Sequence, residues 1–329
     1  MRKKYLSLFL LALLGLAIIF FLKTHFFNEA PKVKVGVIFS SPGIGDKSFN
    51  DSAYKGLLKA RNKLNVIIEY IEPQSFEDIE EEFKEFASGD YDLIIAVGYG
   101  LKSSCEDAAL LYPNKHFVIL DELLELSNVS SIKFKENEGA FLAGFLASRV
   151  TNSNIVGFVG GNRSEVVERF RVGYIQGVKY GNPAVEVREC FVDGDCPFGD
   201  VAGGKREALS LICNGADVIL HASGESGLGV IETAKEKDIF VIGVDVDQNI
   251  EAPHHVITSI IKRTDIAIFD IISESCKGQK IGNKVLGLKD KGIELAVIKP
   301  KGKVPKSILN ELNELKKRVK DGDIIVEGS

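Results

Sequence analysis

Val33-Lys34-Val35-Gly36-Val37-Ile38-Phe39 is a β-branched run that ends in a glycine-rich turn, Ser40-Ser41-Pro42-Gly43-Ile44-Gly45-Asp46-Lys47, and then in a helical stretch over 48–64. A continuous apolar strand, a tight turn and a helix make up the repeating unit of an α/β fold. The unit recurs along the chain. Val66–Ile71 reads as the second strand, and 76–87 as a helix with Phe76, Ile79, Phe83 and Phe86 at helical spacing and Gly89 as its stop. Leu93–Val97, Phe117–Leu120 and Val129–Phe134 are further short strands. Strands that are apolar throughout belong to a parallel sheet covered by helices on both faces.

The pattern then begins again. Residues 138–150 read as a helix, 155–159 as a strand ending in Gly160-Gly161, and 166–179 as a helix. Strands follow at 185–191, 218–221, 240–244 and 256–261, with helices at 205–214 and 229–236 between them. Ile308, Leu312, Leu315 and Val319 mark a last amphipathic helix over 306–320. Two similar runs without a Pro/Ser-rich linker imply two related lobes. Ligands of such folds bind at the carboxyl ends of strands, so two facing lobes place their glycine-rich turns around a shared cleft.

The amino terminus says where this body works. Arg2, Lys3 and Lys4 precede an apolar run over 6–22 that contains only small interruptions such as Ser7 and Gly15. A basic head before an apolar helix sends the following chain across a membrane. At ~1.5 Å per residue the run reaches roughly 26 Å, close to a membrane span. The expected leader covers 1–30, either kept as an anchor or cleaved, with the body on the extracytoplasmic face. The leader carries Arg2, Lys3, Lys4 and Lys23 against Glu29, so the remainder of the 329 residues has 37 basic and 45 acidic residues, a net charge of −8. No concentrated basic patch is visible, which argues against a nucleic-acid partner. A repressor of this fold class would also need a helix-turn-helix before the first lobe, where the apolar segment stands.

Several strings imitate other chemistries. Gly199-Asp200-Val201-Ala202-Gly203-Gly204-Lys205 matches a phosphate-loop pattern, but Arg206 stands where Ser or Thr would hold magnesium, and no strand leads directly into it. Asp245-Val246-Asp247-Gln248-Asn249 starts like a calcium loop, yet Ile250 and Val256 occupy its Gly and Glu places. His254-His255 follows Pro253 as a solvated turn. The five cysteines, Cys105, Cys190, Cys196, Cys213 and Cys276, show no CxxC spacing. Cys190–Cys196 or Cys190–Cys213 are candidate disulfides outside the cytoplasm, and isolated buried thiols are the alternative. Neither a metal nor a cofactor is expected, and no catalytic triad is apparent.

Three strand-end turns concentrate polar and aromatic residues: 40–50, Pro197-Phe198-Gly199-Asp200, and His221-Ala222-Ser223-Gly224-Glu225-Ser226-Gly227-Leu228-Gly229 with the later 242–249. Glycines free the backbone for close approach, and Ser48 is positioned to cap the helix behind it. Phe49, one position into that helix, faces either cleft or core. Carboxylates at strand ends suit sugar hydroxyls. Aromatic faces suit a flat heterocycle, and with no Trp in the chain Phe and Tyr must supply them. For any single Asp at these places, helix capping is the competing role.

Gly43-Ile44-Gly45-Asp46-Lys47-Ser48-Phe49-Asn50-Asp51-Ser52-Ala53 resembles the GxxDDKSFNxSA signature of the basic membrane protein family. Phe141-Leu142-Ala143-Gly144, Gly157-Phe158-Val159-Gly160-Gly161, Gly173-Tyr174-Ile175-Gln176-Gly177, Gly227-Leu228-Gly229-Val230, Gly243-Val244-Asp245-Val246-Asp247-Gln248-Asn249, Thr258-Ser259-Ile260-Ile261-Lys262-Arg263 and Gly287-Leu288-Lys289 continue the likeness in order. The family comprises substrate-binding proteins of ABC transporters, purine nucleoside receptors among them. The resemblance implies a two-lobed type I periplasmic-binding-protein fold with three crossings, each lobe a parallel sheet flanked by helices, behind an N-terminal membrane helix. The lobes are expected at 31–134 plus 264–284 and at 135–263 plus 285–329. Carried over, the base-stacking pair falls on Phe49 and Phe198, and polar ligand contacts fall on Asp121, Asp245 and Lys262, with Asn50 and Gly224 beside them.

The implied function is non-enzymatic capture of a nucleoside, a purine nucleoside first, for an ABC permease; a membrane-anchored sensor passing occupancy to a signalling partner is the alternative. The chain departs from the family at Ser40 and Gly45, where Asp is frequent, and it lacks a lipid-attachment cysteine near its leader.

Overall fold

The computed structural model describes Gly15 and residues 33–73, 76–299 and 304–328. β1 (Val33–Phe39) lies inside a parallel sheet, between β2 (Val66–Ile71) and β3 (Leu93–Val97), which explains why it is apolar and buried from Val35 onward. β4 (Phe117–Leu120) and β5 (Val129–Phe134) extend that sheet in parallel. The second sheet repeats the plan with β6 (Ile155–Gly160) between β7 (Glu186–Phe191) and β8 (Val218–Ala222), continued by β9 (Phe240–Asp245) and β10 (Val256–Lys262). Two short strands complete the edges: β11 (Lys284–Leu286) joins β5 in parallel, and β12 (Ile293–Leu295) joins β10 antiparallel.

Helices cover both sheets. The first lobe carries α1 (Phe49–Lys63), α2 (Phe76–Ser88) and α3 (Lys102–Leu111). Phe83 and Phe86 of α2 are buried, as their spacing predicts. The second lobe carries α4 (Glu136–Val150), α5 (Glu165–Gly181), α6 (Val201–Cys213) and α7 (Ser226–Glu236). α8 (Thr264–Cys276) returns to pack on α1, and α9 (Lys306–Asp321) lays Ile308, Leu312, Leu315 and Val319 against the second lobe beside α4. The chain thus crosses between lobes three times: after Phe134, after Lys262, and between Leu286 and Ile293. The last crossing lies past the expected 284/285 boundary because β11 pairs with β5.

α6 begins four residues before the expected 205. Its N-cap is Asp200, whose Oδ1 accepts the Gly203 amide at 2.8 Å. Gly203 and Gly204 read as loop in sequence, but Gly204 is where α6 meets α7: a Cβ there would lie 1.9 Å from the Ser226 carbonyl oxygen. The phosphate-loop string is therefore a capped helix start, and Lys205 pairs with Glu232 and Glu236 of α7. Replacing Asp200 with Ala should lower unfolding free energy by about 1 kcal/mol, the usual value of a lost N-cap, as measured by urea denaturation. An unchanged midpoint would deny Asp200 that role.

All five cysteines are free thiols, so neither candidate disulfide forms. The expected leader helix lies almost wholly outside the described residues. Among the described residues no helix is long and apolar enough to cross a membrane.

Candidate functional site

The carboxyl ends of β1, β3, β4, β6, β8, β9 and β10 converge between the lobes. There they enclose a cavity of about 420 Å³, within the ~300–1,000 Å³ usual for small-molecule sites. Phe49, Asn50, Asp121, Phe198, Gly224, Asp245 and Lys262 all line it, so the structure brings every residue singled out by sequence to one place.

The floor is a buried charge network. Lys262, at the end of β10, is 1 % exposed. Its Nζ lies 2.6 Å from Asp121 Oδ2 and 2.8 Å from Glu136 Oε1. Glu136 in turn accepts from Arg169 Nε at 2.6 Å. Asp245 adds a third carboxylate to the field, and together the acids hold Lys262 protonated against the cost of burial. Burial pushes Asp121 up to about 6, against the pull of Lys262. Asp121 and Asp245, each at the carboxyl end of a strand, both occupy the left-handed region, at φ +70° and +66°. Strained backbone of this kind persists where the surroundings hold it, and clusters at functional sites.

The expected cap by Ser48 is not made. Its hydroxyl instead donates to Asp245 Oδ2 across the cleft. The start of α1 is held by Asp46, whose carboxylate accepts the amides of Ser48, Asn50 and Asp51. Burial nevertheless pushes Asp46 up to about 7. Asn50 donates from Nδ2 to the Ser40 carbonyl at 3.1 Å. That leaves Asn50 Oδ1, like Asp121 Oδ1, buried and without a protein partner. Two orphaned acceptors on cavity-lining residues call for donors from a ligand.

The walls are aromatic. Phe49 from the first lobe and Phe198 from the second both line the cavity, and Lys262 Nζ stands 4.8 Å from the Phe49 ring centre. Phe198 rests on glycines: a Cβ at Gly161 would come within 2.5 Å of its ring, and one at Gly224 within 3.2 Å of its Cβ. Gly224 has φ +56°, a conformation suited to glycine. Its place in the site is to seat Phe198. Tyr99 meets Phe198 edge-on, with ring centres 6.2 Å apart.

Sequence reasoning missed Asp46, Tyr99, Asn162, Phe170, Glu136 and Arg169. Tyr99 and Asn162 follow Gly98 and Gly160-Gly161 at strand ends, the signal used for the other turns. Glu136 and Arg169 carry no such mark, because only the packing of α4 against α5 joins them. His221, at the head of a glycine-rich turn, is fully buried beside Gln248 Oε1 at 2.9 Å and is held neutral by burial. The calcium-like string is likewise structural: Asp247 accepts the Asn249 amide and pairs with Lys299.

Known proteins share this plan. A family model described as Bmp, ABC transporter substrate-binding protein PnrA-like, matches residues 32–329. The CD4+ T-cell-stimulating antigen of Listeria monocytogenes is 34% identical over 317 residues, covering 89% of this chain and 87% of that protein. The ABC transporter nucleoside-binding protein BmpA of Lactococcus lactis is 29% identical over 326 residues, covering 90% of this chain and 92% of that protein. Among solved structures, an ABC transporter solute-binding protein from Aeropyrum pernix K1 superposes with a TM-score of 0.82 at 28% identity, covering 89% of this chain and 92% of that one. A cleft built at the strand ends of two lobes and a family match across the whole described body lead to one conclusion: the chain belongs to the basic membrane protein family of PnrA-like ABC-transporter substrate-binding proteins.

Proposed function

We propose that this chain captures a nucleoside, a purine nucleoside first, in the interlobe cavity and delivers it to an ABC permease from the extracytoplasmic face, with its N-terminal segment as the membrane tether. The observation that carries the reading is the pairing of two phenyl rings from opposite lobes with a carboxylate-and-lysine floor in a single cavity. A flat base offers π-faces to Phe49 and Phe198. A ribose offers hydroxyl donors to Asp121 and Asp245, and its oxygens can accept from Lys262. The name of the Lactococcus relative, a nucleoside-binding protein, supports the same class.

The cavity lining also argues against a phosphorylated ligand. It carries Asp46, Asp121, Asp195 and Asp245 against one cation, Lys262, which is already engaged by carboxylates. A phosphate would meet negative charge with no donor cluster to receive it. Capture then follows the hinge logic of two-lobed binders: ligand contacts to both lobes favour the closed arrangement over the open one.

Isothermal titration of the purified protein against purine and pyrimidine nucleosides, free bases, free sugars and nucleoside monophosphates tests this reading. Heat is expected with purine nucleosides and none with monophosphates. Binding of sugars or monophosphates in preference to every nucleoside would sink it.

A further inference from the structure

Besides the contacts of Lys262 with Asp121 and of Ser48 with Asp245 near the hinge side, a neutral pair facing the cavity joins the lobes directly. Asn162 follows β6 in the second lobe and Tyr99 follows β3 in the first; Asn162 Nδ2 donates to Tyr99 Oη at 2.7 Å, and both line the cavity. Asn162 is aimed at this contact by its own turn, because its Oδ1 accepts the Ser164 amide at 3.1 Å just before α5. Tyr99 is fixed from the other side. It sits between Gly98 and the buried Leu101 in the turn that leads into α3, and its ring braces Phe198.

The position of the bond matters as much as its geometry. All three crossings leave the sheets at the edge holding β5 and β11 in one lobe and β10 and β12 in the other. β3 is three strands from the β11 edge and β6 four from the β12 edge. At ~4.8 Å per strand the bond therefore sits roughly 14–19 Å from the hinge side. Asp121, Asp245 and Lys262 end strands nearer the hinge. When two lobes rotate about one edge, separation grows with distance from it, so this bond must break early in opening. Farther out, Ser41 Oγ lies 3.6 Å from Cys196 Sγ, an exposed contact in which sulfur is only a weak hydrogen-bonding group; the bridge from Lys47 to Glu251 at 3.0 Å is solvent-exposed and outside the cavity lining, where water and salt weaken it.

We propose that Tyr99 and Asn162 form a clasp that holds the lobes closed without help from the ligand and sets how fast a bound ligand leaves. Neither group needs a ligand atom to complete the bond. The ligand-free protein therefore populates a closed arrangement, and ligand binding draws on a state that already exists. The clasp makes Tyr99 and Asn162 positioning residues: they govern lifetime while the floor and the phenyl rings govern recognition. The inference rests on reading the cavity as an interlobe capture site, and not on which ligand fills it.

The test is a distance distribution measured on the full chain without ligand, by pulsed dipolar spectroscopy between spin-labelled non-natural residues at Lys63 and Lys235, exposed positions of α1 and α7 in opposite lobes. Tyr99→Phe removes only the hydroxyl and keeps the ring against Phe198; Asn162→Ala removes the donor. Each should raise the open-to-closed ratio by roughly threefold to tenfold, the range expected for one net hydrogen bond. The double variant should match either single one, since both remove the same bond. Wild type and both variants sharing one distribution would overturn the clasp, as would a double variant whose shift is the sum of the two. Failure of every nucleoside to bind would sink the proposed ligand while leaving this ligand-free measurement intact.

Discussion

Replacing Lys262 with Met should cost about 3–5 kcal/mol of folding stability near pH 8 and abolish measurable ligand binding. Methionine keeps the length of the side chain but removes the charge that answers Asp121 at 2.6 Å and Glu136 at 2.8 Å. Breaking a buried ion pair by removing one partner falls in that range because the remaining charge is left uncompensated. Arg169 stays beside Glu136, but Asp121 and Asp245 lose the cation that faces them. The sign of the pH effect follows from linkage. Without the lysine, the buried carboxyls bind protons more readily folded than unfolded, so stability rises as pH falls from above their folded values toward the unfolded ~4. Urea denaturation at pH 8 and pH 5 should show a deficit that is largest at pH 8 and clearly smaller at pH 5. A loss below ~1 kcal/mol, equal at both pH values, would mean that Lys262 does not hold these carboxylates together.

Phe198→Ala should weaken ligand binding by roughly 1–3 kcal/mol, or about 5- to 150-fold, the range for losing an aromatic ring stacked on a base. Phe198 is only half-buried and packs at the edge of the core, so its truncation should leave the fold largely intact. The informative companion is Phe198→Leu, which restores apolar area but no π-face. If stacking carries the contact, the leucine variant recovers little affinity; full recovery would reduce the role of Phe198 to apolar contact. Unchanged affinity in the alanine variant would remove Phe198 from the site. Titration of both variants against the tightest-binding nucleoside measures this.

Much of the architecture is legible because long apolar strands leave few alternatives. Val33–Phe39, Leu93–Val97 and Phe117–Leu120 have the same bounds in sequence and structure, since each is a short β-branched or aromatic run buried in a sheet. α3 and α8 went unread for opposite reasons. Lys102–Leu111 mixes Ser103-Ser104 with only a short apolar end, whereas Thr264–Cys276 is apolar on so many sides that its period is blurred. β11 and β12 are three residues each and owe their existence to the partners they meet, β5 and β10.

The site divides in the same way. Residues that a strand-end turn displays, such as Phe49 and Asp245, were visible as local pattern, and the family likeness singled them out from other Phe and Asp residues. Partnerships were not visible. Nothing in sequence links Ser48 to Asp245, 197 positions apart, or shows that the Ser48 hydroxyl leaves capping to Asp46. Nor does spacing reveal that Glu136 serves both Lys262 and Arg169, because three different elements deliver those groups. Local physics predicts what a residue can offer, while tertiary packing decides which neighbour accepts it.

In the proposed capture state, one interlobe cavity grips a nucleoside by its base and its sugar at opposite ends. A crystal structure of the protein grown with a purine nucleoside tests it most directly. The base is expected in contact with the rings of both Phe49 and Phe198, with sugar hydroxyls within hydrogen-bond distance of Asp121 and Asp245. A nucleoside seated elsewhere, or held with its sugar toward the phenyl rings and its base on the charged floor, would contradict it.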